Sequence, residues 1–265
     1  MMGPSHALSG AAGWFVVLPL VQRLAPEPLD TAQVFVGAAV CAGFALWPDV
    51  DEEQSTLARS FGPLTLGLAT LVNKLSSAWY NLTKTSREPT RVDGHRLLTH
   101  SLPGMLLTTA GVAALAGWGG KAATIGILFF MLGLAIRGLM GDWAKRNGWL
   151  ATTAAAAAAA FAAYTFLPQG DYWWLFAAAL VGQLFHGVGD GITKEGVPWL
   201  GGVVTIRGKR WWEFTLPSFL RIRAGGWVEN AVLNPVFGIV LVLGVWSTFA
   251  GWPVVVDSLR RVVGL

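Results

Sequence analysis

The four histidines of this 265-residue chain all fall inside short polar motifs that carry Gly, Asp or Ser. They are His6 in GPSHALSG, His95 and His100 in DGHRLLTHS, and His186 in HGVGDGITKEG. A further motif, Pro48-Asp49-Val50-Asp51, supplies two carboxylates separated by one residue. Imidazoles and paired carboxylates beside long apolar runs are costly unless something binds them. The expected chemistry is a divalent metal site.

Each motif also has a simpler reading. His186 and Asp190 stand at i and i+4, so on a helix they share a face and can grip one ion. That spacing suits a locally hydrogen-bonded helix end equally well. His95 and His100 are five apart, which fits no single straight helical face. A turn carrying His95 that leads into a helix carrying His100 resolves the mismatch. Arg96 between them has a planar fork suited to an anionic oxygen, and Ser101 can donate a hydrogen bond. Taken alone, Asp49 and Asp51 form an ordinary acidic turn continuing into Glu52 and Glu53. His6 gains weight only from its company.

The elements that must position these residues are apolar. The chain is 54% hydrophobic with a mean hydropathy of +0.53, and only 13% of it is charged, about half the usual share of a soluble domain. Fourteen Trp suit interfacial belts, and 33 Gly suit close helix packing in lipid. Apolar runs near the length a bilayer requires occur at 8–22, 31–47, 102–118, 122–140, 149–167, 172–190 and 231–250. The expected fold is an all-α polytopic transmembrane bundle of about seven spans, forming one integral membrane domain over 1–265. The segment 61–75, whose apolar part is Phe61 to Val72, is too short to cross and reads as interfacial or re-entrant. No Lys or Arg precedes the first apolar run, so that run is expected to stay in the mature protein rather than act as a cleaved signal.

With seven spans, the loops 48–101, 141–148 and 191–230 share a face with the N-terminus and hold most of the Lys and Arg. The opposite side holds Arg23, Lys121 and the tail residues Arg260 and Arg261. The positive-inside rule places the motif-bearing face in the cytoplasm. The same topology brings His6, Asp49/Asp51, His95/His100 and His186/Asp190 to one boundary. If 61–72 crossed, that convergence would be lost. The lone Cys41 excludes an intramolecular disulfide and a zinc-thiolate cluster. The chain has no Walker-type loop, no GxGxxG after a strand, no GxSxG elbow and no HExxH. Its +4 net charge follows from loop topology, and no nucleic-acid partner is expected. The basic, aromatic stretch from Thr205 to Pro217 reads as an interfacial anchor, with Trp211 and Trp212 at head-group level.

Taken in order, SHALSG, PDVDEEQS, GHRLLTHSL, HGVGDGITKEGVPWL, RWWEFTLP and the late Gly225-to-Glu229 turn resemble the YdjM-like, LexA-regulated, membrane-bound metal-dependent hydrolases. The resemblance implies metal-site roles for His6, Asp49, Asp51, His95, His100, His186 and Asp190. It implies supporting or substrate-contact roles for Arg96, Thr99, Ser101, Thr193 and Glu229. This chain departs from the family pattern at Glu52, where members often carry histidine, and at Lys194, where Thr-Pro is usual. A more distant similarity to zinc-dependent phospholipase C enzymes suggests phosphoester hydrolysis.

The expected protein is therefore an inner-membrane, metal-dependent hydrolase that meets membrane lipid and cleaves a lipid-like or lipid-linked phosphoester at the cytoplasmic boundary. Zinc, or alternatively manganese, would activate water. Asp51 or Glu229 would serve as base, and Arg96 and Lys194, with Ser101 and Thr193 alongside, would contact substrate. The competing expectation is a non-enzymatic membrane protein, either a divalent-metal transporter or a metal-stabilised scaffold. Transporters hold their ligands near the bilayer midplane, and these motifs sit at a boundary.

Overall fold

The computed structural model describes residues 1–52, 55, 57–167 and 172–250; Glu53 and the tail with Arg260 and Arg261 lie outside the described residues. Seven helices follow in chain order: α1 (Gly3–Leu24), α2 (Thr31–Phe44), α3 (Pro63–Thr83), α4 (Leu102–Leu139), α5 (Gly141–Phe166), α6 (Trp173–Gly191) and α7 (Asn234–Ala250). Short 3-10 turns at Trp47–Asp51 and Leu98–His100 carry site residues. Among the described residues the only sheet-like pairings are isolated bridges, such as Val197 with Phe214. The all-helical expectation holds.

Among the described residues, five helical segments are long and apolar enough to cross a membrane: Gly3–Leu24, Thr31–Asp51, Leu102–Leu139, Gly141–Phe166 and Glu229–Phe249. Sequence reading expected seven runs. Two of them, 102–118 and 122–140, are limbs of α4, which breaks at Gly120 with φ 53 and ψ −134. That left-handed geometry suits glycine. α6 is not among the five, because Gln183, His186 and Asp190 dilute its apolar character.

Two short signals start helices where the site needs them. Asp30 and Gln33 form a capping box at α2. Ser101 caps α4 by accepting from the Gly104 nitrogen at 3.3 Å. α1, α2, α4 and α6 pack together, α5 lies against α4, and α7 lies on α1. Trp14, Trp174, Phe44, Leu128 and Leu134 are fully buried between them. A Cβ on Gly182 would stand 2.4 Å from the Cys41 carbonyl oxygen, so α6 can approach α2 only with glycine there. Cys41 itself is buried and unreactive filler in this contact.

α3 extends the expected interfacial segment to 21 residues. Its buried residues are Thr65, Ala69, Ser76 and Tyr80, whereas Leu64, Leu71, Leu75 and Leu82 are exposed. This inverted pattern, leucines outward and small or polar groups inward, suits a helix lying in a lipid interface. α3 does not carry the chain away from the site. His100, which follows it, stands 3.5 Å from Asp49, which precedes it.

Candidate metal centre

Each site motif lies at a helix end. His6 is in the first turns of α1, Asp49 in the 3-10 turn after α2, His100 in the turn before α4, and Asp190 at the end of α6. His95 sits in the preceding turn, as its spacing from His100 suggests. Asp49, His100, His186 and Asp190 each offer an atom within 4.8 Å of the others. His100 Nε2 lies 3.0 Å from His186 Nε2 and 3.5 Å from Asp49 Oδ1. His186 Nε2 lies 3.8 Å from Asp49 Oδ1 and 3.6 Å from Asp190 Oδ2, and His100 Nε2 lies 3.8 Å from Asp190 Oδ2. A tetrahedral ion with bonds of about 2.0 Å has edges of roughly 3.3 Å, so these separations suit one ion.

Hydrogen bonding determines what the two rings present to one another. His186 Nδ1 faces the Ala45 carbonyl oxygen at 2.8 Å, which can only accept, so this nitrogen carries the proton. Thr99 Oγ1 donates to Asp51 Oδ2 at 2.6 Å and therefore accepts from His100 Nδ1 at 3.0 Å. With a proton on each Nδ1, the two rings turn their Nε2 atoms towards each other, as a pair of metal donors would. Two lone pairs and two carboxylate oxygens repel one another unless a cation lies between them. Asp190 Oδ2 is buried and accepts no hydrogen bond, although Arg96 Nη2 lies 3.0 Å away. Burial, acting against the Asp49 contact, keeps His100 below its ordinary imidazole pKa and so in the neutral form a ligand requires.

The other predicted ligands surround this cluster. His6 stacks on His186 with centroids 3.9 Å apart, and its Nε2 meets Asp190 Oδ1 at 3.0 Å. The Met1 nitrogen contacts the same oxygen. Asp51 bonds His95 Nδ1 at 2.7 Å. Burial pulls His95 towards neutrality, but the Asp51 bond and charge, with Asp49 and Glu52, outweigh it and raise its pKa to about 9. His95 Nε2 then points towards Glu52 at 4.0 Å.

The predicted substrate and base residues divide into two groups. Arg96 has φ 58, a strained setting for a side chain of its size, and spans Asp190 and Glu195 with its two terminal nitrogens. Lys194 is exposed and lines a polar cavity of about 340 Å³ with Thr193, Glu195 and Arg223. Ser101 and Thr193 are buried, Ser101 capping α4 and Thr193 donating to the Asp190 carbonyl at 2.7 Å. Glu229 is buried and accepts from the Met2 nitrogen at 2.8 Å and the Gly225 nitrogen at 2.9 Å, tying α1 to the turn before α7.

Residues 1–152 match the model of the YdjM inner membrane protein family, more than half of the chain and including His6, Asp49, Asp51, His95 and His100. The chain belongs to the YdjM inner membrane protein family. No curated protein and no solved structure matches it significantly. His186 and Asp190 lie beyond the part matched to the YdjM model, yet the fold returns them to the YdjM-matched donors.

Sequence reading missed the residues that hold this YdjM site from α3. Asn73 donates to the Asp51 carbonyl at 3.1 Å and to Asp93 at 2.9 Å, and accepts from the Gly94 nitrogen at 3.1 Å. Ser76 donates to the Gly94 carbonyl at 2.7 Å and accepts from the Leu98 nitrogen at 2.9 Å. The available signal was the polar cluster Asn73, Lys74, Ser76 and Ser77 that interrupts a leucine-rich helix. Glu88 was missed too. It accepts from the Thr85, Arg210 and Trp211 nitrogens, while Trp211 packs on Tyr80 at 5.3 Å. Trp211 is therefore buried against α3, and Trp212 is the exposed member of the pair.

Proposed function

We propose that this protein is a membrane-embedded, metal-dependent hydrolase cleaving a phosphoester of a lipid or lipid-linked substrate at the cytoplasmic boundary of a multi-pass inner-membrane bundle. The observation that carries the reading is the pair of imidazole Nε2 atoms, 3.0 Å apart, meeting two carboxylates in one cluster. Asp49, His100, His186 and Asp190 would hold the ion, and mixed nitrogen and oxygen donors suit zinc, with manganese second. When bound, the ion would make water nucleophilic near neutral pH.

The remaining roles follow from placement. Lys194 lines the polar cavity and Arg96 pairs with Glu195 of its lining; both would bind phosphate oxygens and the charge that develops on them. Asp51 holds His95 protonated, so His95 Nε2 is placed to give a proton to the leaving oxygen. Both Glu229 oxygens are bonded to backbone nitrogens, which suits a positioning role better than that of base. Donors at helix ends weigh against transport, which favours ligands at the midplane.

Elemental analysis of chelator-free, detergent-purified protein tests this reading. One zinc or manganese per chain is expected, lost in Asp49→Asn and His100→Ala and retained in His95→Ala. Phosphate release from phosphatidic acid is expected to stop with chelator and return with zinc. Native protein lacking stoichiometric metal would sink the proposal.

A further inference from the structure

The Phe44-to-Asp51 segment serves the metal cluster on one side and an apolar cleft on the other. The Ala45 carbonyl orients His186, and Asp49 is one of the four donors. Phe44 and Trp47 line a cleft of about 400 Å³ whose other walls are the two limbs of α4, with Val112 and Leu115 on one and Ile127 and Phe130 on the other. Leu68 of α3 closes it from the interfacial side. The lining side chains with polar atoms are Trp47 and Thr108, and these bond each other, Trp47 Nε1 donating to Thr108 Oγ1 at 3.3 Å. A hydrophilic occupant would find only the Thr108 hydroxyl as a partner there.

We propose that this cleft holds one acyl chain of a lipid whose head group lies at the metal cluster. The head-group end of this assignment rests on the hydrolase reading above; the acyl end does not. Three observations select hydrocarbon. The walls belong to α4 and to the Thr31–Asp51 segment of α2 and the turn after it, both long and apolar enough to cross a membrane, so the surrounding medium is acyl chain. Leu115 is 47% exposed, leaving the slot open on its outer side. The slot also ends at Trp47, two residues from Asp49, so a chain lying in it delivers its polar end to the donors.

Two lining glycines provide the test. A Cβ on Gly111 or Gly126 would meet nothing within 4 Å, so larger side chains can enter the cleft without disturbing the helices. Gly238 on α7 is equally open and lies outside the cleft, which makes it a control. The full chain would be placed in nanodiscs containing phosphatidic acid with a diazirine in one acyl chain, irradiated, and its adducts mapped. Saturable adducts are expected on the cleft faces of 108–115 and 123–131. Gly111→Leu and Gly126→Leu should each lower them by about tenfold, with metal content unchanged. Gly238→Leu should leave them intact.

Cleft adducts unchanged in both filled variants would overturn the proposal, as would adducts spread evenly over α7. A change of oligomeric state in those variants without loss of adducts would make the cleft a helix-docking surface instead. Cleft labelling in a protein that holds no metal and releases no phosphate would remove the hydrolase reading and leave the slot standing. Undiminished release of lipid phosphate by Gly126→Leu, together with undiminished cleft adducts, would remove the slot and leave the hydrolase.

Discussion

Asp51 stands two residues beyond Asp49 but turns to different partners, bonding His95 at 2.7 Å and Thr99 at 2.6 Å. Through Thr99 it sets the tautomer of His100, and through charge it keeps His95 protonated. His95, raised from 6.5 to about 9, adds stability that is complete below 6.5 and fades as pH rises through about 9. In Asp51→Asn the charge is lost and the bond becomes a neutral one while burial remains, so the His95 pKa should fall back towards 6.5. A histidine NMR titration of metal-free protein reads this directly, and a value still near 9 in the variant would refute it. The sequence placed Asp49, Asp51, His95 and His100 at one boundary. It could not say which carboxylate meets which ring, because partners 44 and 184 positions apart, as in Asp51–His95 and His6–Asp190, meet only through tertiary packing.

At the scale of elements, hydropathy is a local property, so the apolar runs were legible as helices. Their breaks were legible too, since the gap between 102–118 and 122–140 falls on the Gly120 bend. α3 was legible only in part. Its apolar stretch stops near Val72, but the helix continues to Thr83 because Asn73, Ser76 and Tyr80 face protein while leucines face outward. That inversion hides the helix from a reading that expects leucines inside. Asn73 makes the 93–98 loop depend on α3. Removing its amide leaves the Gly94 nitrogen and the Asp51 carbonyl without partners, at about 1–3 kcal/mol for each buried group. Asn73→Ala should therefore speed amide hydrogen exchange across 93–98 and weaken metal binding, with exchange in α6 unaltered. Exchange in 93–98 that matches the parent would show that the loop is held by other contacts.

Across the whole molecule, the site draws on α1, α2, α4 and α6, so all four must end at one level, and the side of the membrane they face decides which substrate pool they meet. The segments nearest the donors carry Lys74, Arg91, Arg96, Lys194 and Arg223, whereas the opposite helix ends carry Arg23 and Lys121. This asymmetry favours a cytoplasmic site. Cys41 is fully buried, so single cysteines can be introduced without a competing reactive thiol. A membrane-impermeant maleimide should label Lys121→Cys from the outer side of intact cells. It should reach Glu195→Cys, beside the polar cavity, only in inverted vesicles. The reverse pattern would leave the donor geometry as it is and move the reaction to the outer leaflet. Lipids of the cytoplasmic leaflet would then no longer be the substrate pool, because head group and acyl slot must be reached from the same side as the metal.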